Sequence, residues 1–139
     1  MAPPRQLPIR RTVTLVRWFF LQNTFATEGK GAGLMLGRMY ENGRGVAQAY
    51  SAAIHWYRKA ADHGDAAAQF NLGTLYGSGR GVAVDHVEAY QWLTLASSRF
   101  SASDEQRSRA IQNCTLVASK MTGAQIAEAQ IWANAWKPT

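Results

Sequence analysis

The chain has 139 residues, 47% of them hydrophobic and 17% charged, which is enough for one small core and too apolar for wholesale disorder. Its formal charge of +6 would suit nucleic acid, but the excess sits in residues 1–30, where Arg5, Arg10, Arg11, Arg17 and Lys30 face only Glu28. The remainder is nearly balanced, so no nucleic-acid partner is expected, and a lone Cys114 excludes an internal disulfide and a cysteine-built zinc site.

Residues 1–27 form a basic N-terminal arm. Pro3, Pro4 and Pro8 precede Arg10 and Arg11, and Val13–Leu21 is then apolar except for Thr14 and Arg17. Three readings stand. The arm is a tail with a degenerate capping helix over the open end of the fold, a secretory signal with small residues near Ala26, or an Arg-rich presequence. Arg17 inside the apolar stretch counts against the signal. The localisation is periplasmic or secreted if the arm is a signal, and cytoplasmic otherwise. Membrane contact is expected only here, through Arg10, Arg11 and Arg17 beside Trp18, Phe19 and Phe20. No run of 18 apolar residues exists to make a spanning helix.

The stretch starting at Leu36 returns from Leu72, displaced by 36 residues. Gly37, Tyr40, Gly43, Arg44, Gly45, Val46, Ala53, Trp56 and Ala60 recur as Gly73, Tyr76, Gly79, Arg80, Gly81, Val82, Ala89, Trp92 and Ala96. A period of this size signals a solenoid, whose units bury their apolar faces only against neighbours. Each unit reads as two antiparallel helices. The first spans about 31–41 and 66–77, with Leu36 and Tyr40 on one face. Gly37 and Gly73 cost about 1 kcal/mol each inside a helix, so the same place in both units points to close backbone approach by the paired helix.

The loop glycines turn the chain, and Val46 and Val82 drop into the core as the second helix begins. That helix carries Ala53, Trp56, Tyr57 and Ala60, then Ala89, Trp92, Leu93 and Ala96, an i, i+3, i+4, i+7 stripe of small and large side chains. Asp85, with Glu88 three residues on, caps the second copy, whereas Ala49 leaves the first copy uncapped. Gly64 followed by Asp65 ends one unit and starts the next.

Beyond Phe100 the glycine loop disappears. Ser103 with Gln106 and Thr122 with Gln125 read as capping boxes that open helices over about 104–120 and 123–136. Ile111, Cys114, Leu116, Val117 and Met121 supply the apolar side of the first. Ile126, Ala129, Ala133 and Trp136 supply that of the second, and Pro138 closes it. The expected organisation is arm 1–27, repeat 28–64, repeat 65–100 and a C-terminal helical hairpin cap over 101–139.

These residues resemble the Sel1-like repeat family, relatives of tetratricopeptide repeats with a slightly longer unit. The second copy matches from Ala68 through Ala96, Asp85 included, and the first from Ala32 to Gly64 except at Ala49. The resemblance implies an all-α, α/α solenoid of helical hairpins with a C-terminal capping helix pair. It also implies scaffold or adaptor work in bacterial signalling, envelope biology or host interaction. A cysteine-rich branch of the family is linked to β-lactam hydrolysis, but its paired cysteines are missing here.

Chemistry finds little footing. His55, His63 and His86 have no acidic partner at metal-ligand spacing, and no serine sits in a strand-to-helix elbow. Gly29–Gly33 and Gly77–Gly81 follow no strand and lack the phosphate-loop spelling. No enzyme activity, metal or cofactor is expected. What remains is binding of a protein or peptide on the concave face of the first helices, through Met35, Arg38 and Asn42 in one unit and Asn71, Thr74 and Ser78 in the next. Trp132 lies partly outside its helix stripe and reads as an anchor for a partner or a second copy. The alternatives are a cell-wall or β-lactam hydrolase, or a membrane-peripheral regulator anchored by the arm.

Overall fold

Alanine-rich segments closed by glycine turns form six α-helices in the computed structural model, which describes residues 30–139. They are α1 (Lys30–Asn42), α2 (Tyr50–Asp62), α3 (Ala66–Ser78), α4 (His86–Arg99), α5 (Glu105–Ala118) and α6 (Gly123–Ala135). No strand occurs among the described residues, and none of their helices is long and apolar enough to cross a membrane. The readings of residues 1–27 lie outside the described residues.

Local chemistry explains most helix boundaries. The Asp65 side chain accepts from the Ala68 amide, and Asp85 accepts from the Glu88 amide. Ala49 offers α2 no side-chain cap. Gly79 sits in the left-handed region at φ 71°, ends α3, and returns its amide to the Leu75 carbonyl. Thr122 and Gln125 form a full capping box on α6. One cap differs from expectation: Asp104, not Ser103, starts α5, accepting from the Gln106 amide at 2.8 Å. Two candidates stood side by side, and a carboxylate accepts more strongly than a hydroxyl.

α1 packs on α2 and α3 on α4, and these hairpins stack in sequence. Close approach is set where a side chain is missing. A Cβ placed on Gly37 would lie 2.3 Å from two ring carbons of Tyr57, and one on Gly73 would lie 2.8 Å from the Leu93 side chain. Ala53, Tyr57, Ala60, Leu72, Leu75 and Trp92 share one core with Val82 packed against it, and Val46 is buried as well. The units are also tied by Arg58 of α2, which donates to the Tyr76 hydroxyl and forms a 3.1 Å ion pair with Glu88. Glu88 accepts from the Trp92 indole at 3.0 Å as well. α1 meets α3 and α3 meets α5, so the first helices of the hairpins form one row.

The C-terminal pair caps the array without packing as a hairpin. α5 continues the row of first helices against α3 and α4, while α6 lies against α4 rather than α5. Trp132 and Trp136 meet the Trp92 ring edge-on at 5.4 and 6.3 Å. The chain beyond α6 then reaches α2, where the Thr139 amide donates to the Asp62 carbonyl at 2.9 Å. Trp92 is thus 2% exposed, whereas Trp56, its counterpart in the first unit, is half-buried beneath Lys59. The apolar side of α5 also differs from expectation. Ala110 and Val117 are buried, but Ile111 and Leu116 are 48% and 61% exposed. Ala110, Cys114, Val117 and Met121 follow the helical repeat toward α4, and Ile111 and Leu116 fall off that line.

Replacing Gly37 with alanine should destabilise the protein by about 1–3 kcal/mol in urea unfolding, because overpacking against Tyr57 outweighs better helix propensity. Gly31→Ala, where an added Cβ meets nothing within 4 Å, should be neutral or stabilising by up to about 1 kcal/mol. Equal effects at both sites would remove close approach as the reason for glycine at position 37.

Candidate functional site

The first helices form one row, and each presents a stripe turned away from its paired helix. On α1, Met35, Arg38 and Asn42 are exposed, Met35 at 53%. The helical spacing that turns Leu36, Gly37 and Tyr40 toward α2 leaves this stripe outward. With Leu34, Met39 and Arg44 it borders a cleft of about 350 Å³. Its lining combines aliphatic and thioether side chains with two arginines.

On α3 the corresponding positions are more occupied. Thr74 and Ser78 are exposed, but each hydroxyl already donates to its own helix, Thr74 to the Phe70 carbonyl at 2.9 Å and Ser78 to Leu75 at 3.3 Å. Each keeps only acceptor capacity for a ligand. The Asn42 amide donates in the same way to the Arg38 carbonyl at 3.0 Å. Asn71 is half-buried beside the Tyr57 hydroxyl, which itself donates to Glu41 at 2.9 Å. Burial first, and then the Glu41 carboxylate, push the Tyr57 phenol well above its ordinary pKa, so the hydroxyl stays a donor. Glu41, Tyr57 and Asn71 therefore lie together beneath this face, and Asn71 belongs to that group more than to the surface.

Trp132 is half-buried, packed against the main core and edge-on to Trp92, so the ring serves packing between α6 and α4. Sequence reasoning also passed over Leu34, Met39 and Arg44. Arg44 recurs as Arg80, between two glycines that make the turn.

Elsewhere the side chains offer little chemistry. His55 is exposed and stacked edge-on with Trp56, and the His63 ring nitrogen lies 2.8 Å from the Thr139 carbonyl oxygen. His86 stands on another helix. Among the described residues no three His, Cys, Asp or Glu side chains gather in a metal-binding group. Burial raises the pKa of the Cys114 thiol, with the Thr94 hydroxyl 3.7 Å away, so the nucleophilic thiolate is disfavoured there. A second, more open cleft of about 700 Å³ lies beside Gly64 and Asp65. Its one guanidinium, Arg99, already donates to the Gly64 carbonyl at 2.8 Å and covers the Trp136 ring.

Residues 34–65 and 66–99 each match the family model described as Sel1 repeat. No curated protein matches the chain by sequence. Among solved structures, the chain is similar to a protective antigen present in uropathogenic Escherichia coli strains, which displays an SLR fold. Identity is 30% and the TM-score 0.74, over 95% of this chain and 27% of that one. It is also similar to a Sel1 repeat protein from Oxalobacter formigenes, at 25% identity and TM-score 0.57, over 91% of this chain and 57% of that one. The chain thus spans well under two thirds of either relative.

Trp132→Ala should cost on the order of 3 kcal/mol of stability and red-shift tryptophan emission as Trp92 becomes wetter. Met35→Ala should stay within about 0.5 kcal/mol of the parent. Thermal and urea unfolding of the two variants check this, and a neutral Trp132→Ala would return that residue to the surface.

Proposed function

The chain contains two Sel1 repeats, a fold that generally serves protein–protein interaction, and from that premise we propose a non-enzymatic module that holds a peptide or protein on the concave face of its repeats. The observation that carries this reading is the state of the concave residues. Beneath them the Tyr57 hydroxyl donates to Glu41 at 2.9 Å with Asn71 beside it, which anchors this part of the face before a partner arrives. Above them Met35 and Arg38 stand exposed beside a cleft large enough for a few side chains. A preorganised helical surface with exposed long side chains limits the entropy lost on binding.

Arg38 and Thr74 lie one unit apart on the same face, so a partner lying along the row crosses both. Its main contacts are to side chains that project from rigid helices, an arrangement that suits an extended segment or a short helix better than an enclosed small molecule.

An Arg38→Glu, Thr74→Arg double variant tests the reading. Both positions are exposed, so the melting temperature should hold within a few degrees. Affinity capture with the immobilised full chain should then lose partners that the parent retains. Equal capture by both proteins would remove the concave face from the proposal.

A further inference from the structure

We propose that the α1 cleft takes an acidic segment of a protein partner, with carboxylates on Arg38 and Arg44 and an adjoining aliphatic side chain on Leu34, Met35 and Met39. This rests on the interaction-module reading and adds the chemistry of the partner.

Two guanidinium groups beside this cleft have no ion-pair partner among the described residues. The other arginines of the two repeats are engaged: Arg58 with Glu88, Arg80 over the Tyr50 ring at 5.9 Å, and Arg99 with the Gly64 carbonyl and Trp136. Arg38 and Arg44 make no ion pair or side-chain hydrogen bond among the described residues, though both border one cleft. The nearest acid in sequence, Glu41, is turned to the Tyr57 hydroxyl. α1 carries no acidic residue in its first turn. Two guanidinium forks facing one cleft match carboxylates in geometry as well as sign.

Leu34, Met35 and Met39 supply aliphatic and thioether surface, and methionine adapts to differently shaped apolar side chains. No aromatic ring lines this cleft, so the stacking platform that single-stranded nucleic acid uses is missing from it. Carboxylates beside a branched apolar side chain, as in Asp/Glu–Leu or Asp/Glu–Ile sequences, satisfy both parts. The chain's own arm fits poorly, since Arg5, Arg10, Arg11 and Arg17 would meet two further arginines.

A random peptide library panned on the full-length protein tests the assignment. Recovered sequences should be enriched in Asp and Glu next to Leu, Ile or Met, and synthetic copies should bind more weakly as salt rises. Their affinity should fall about tenfold or more in the Arg38→Glu, Arg44→Glu variant, and panning that variant should enrich Lys and Arg instead. Enrichment without acidic residues, in peptides still lost on Thr74→Arg, would overturn the acidic class and leave the concave face standing. Peptides indifferent to Met35, Arg38, Arg44 and Thr74 variants would overturn both. No enrichment at all would overturn the proposal, as would displacement of the acidic peptides by a synthetic copy of residues 8–24.

Discussion

Two missing side chains set the geometry of this protein. At Gly37 and Gly73 the partner helix comes so near that a methyl group would overlap Tyr57 or Leu93. Helices at that separation can share a core of alanines, and Ala53, Ala60, Ala89 and Ala96 are all fully buried. Small residues on both sides then leave room for one large ring per unit. Propensity alone would have replaced both glycines, since each costs about 1 kcal/mol within a helix. Their retention shows that tertiary approach outweighs local preference in both units, and in an array stabilised by neighbour contacts the same rule must operate twice.

A unit that relies on neighbours is incomplete at an end, and the two tryptophans show what completion does. Trp92 has α2 behind it, with Arg58 at 5.9 Å, and α6 before it, with Trp132 and Trp136 against its ring. Glu88 holds its indole nitrogen and Arg58 together. Burial works against the charge of that guanidinium, but Glu88 and Tyr76 hold it above its ordinary pKa, so the contact between units stays ionic. Trp56 has Ala52 where Trp92 has Glu88, and it stays half-exposed with Lys59 above it. The same residue type in the same register is core in one unit and edge in the other.

Features that depend on a few adjacent residues were legible from the sequence. The glycine turns, the Asp65, Asp85 and Thr122 caps and the uncapped Ala49 all express chemistry within one helical turn. Legibility ended where distant partners decide the outcome. Ile111 and Leu116 are more hydrophobic than Ala110, yet the position of α4 buries the alanine. α6 follows α5 after a short turn, which suggests a hairpin, but the Trp92 surface draws it onto α4. At the candidate site, Met35 and Arg38 follow from helical register alone. Asn71 could not be separated from them without knowing that Tyr57 reaches it from the preceding unit, and Trp132 could not be placed without α4.

The repeated letters themselves divide into two kinds. Gly43, Gly45, Gly79 and Gly81 all have positive φ, and their recurrence is a demand of the backbone. The arginine between each pair is under no such demand, since its side chain leaves the turn and stays exposed. Arg80 settles over Tyr50, at the start of the preceding unit's second helix. Arg44 has no described unit before it to supply that ring, and it borders the α1 cleft instead. Among the described residues the same arginine packs between units in one copy and borders a cleft in the other. Recurrence therefore fixes a residue's role only at positions that the backbone constrains. At positions that neighbours constrain, the same letter takes different surroundings in the two copies.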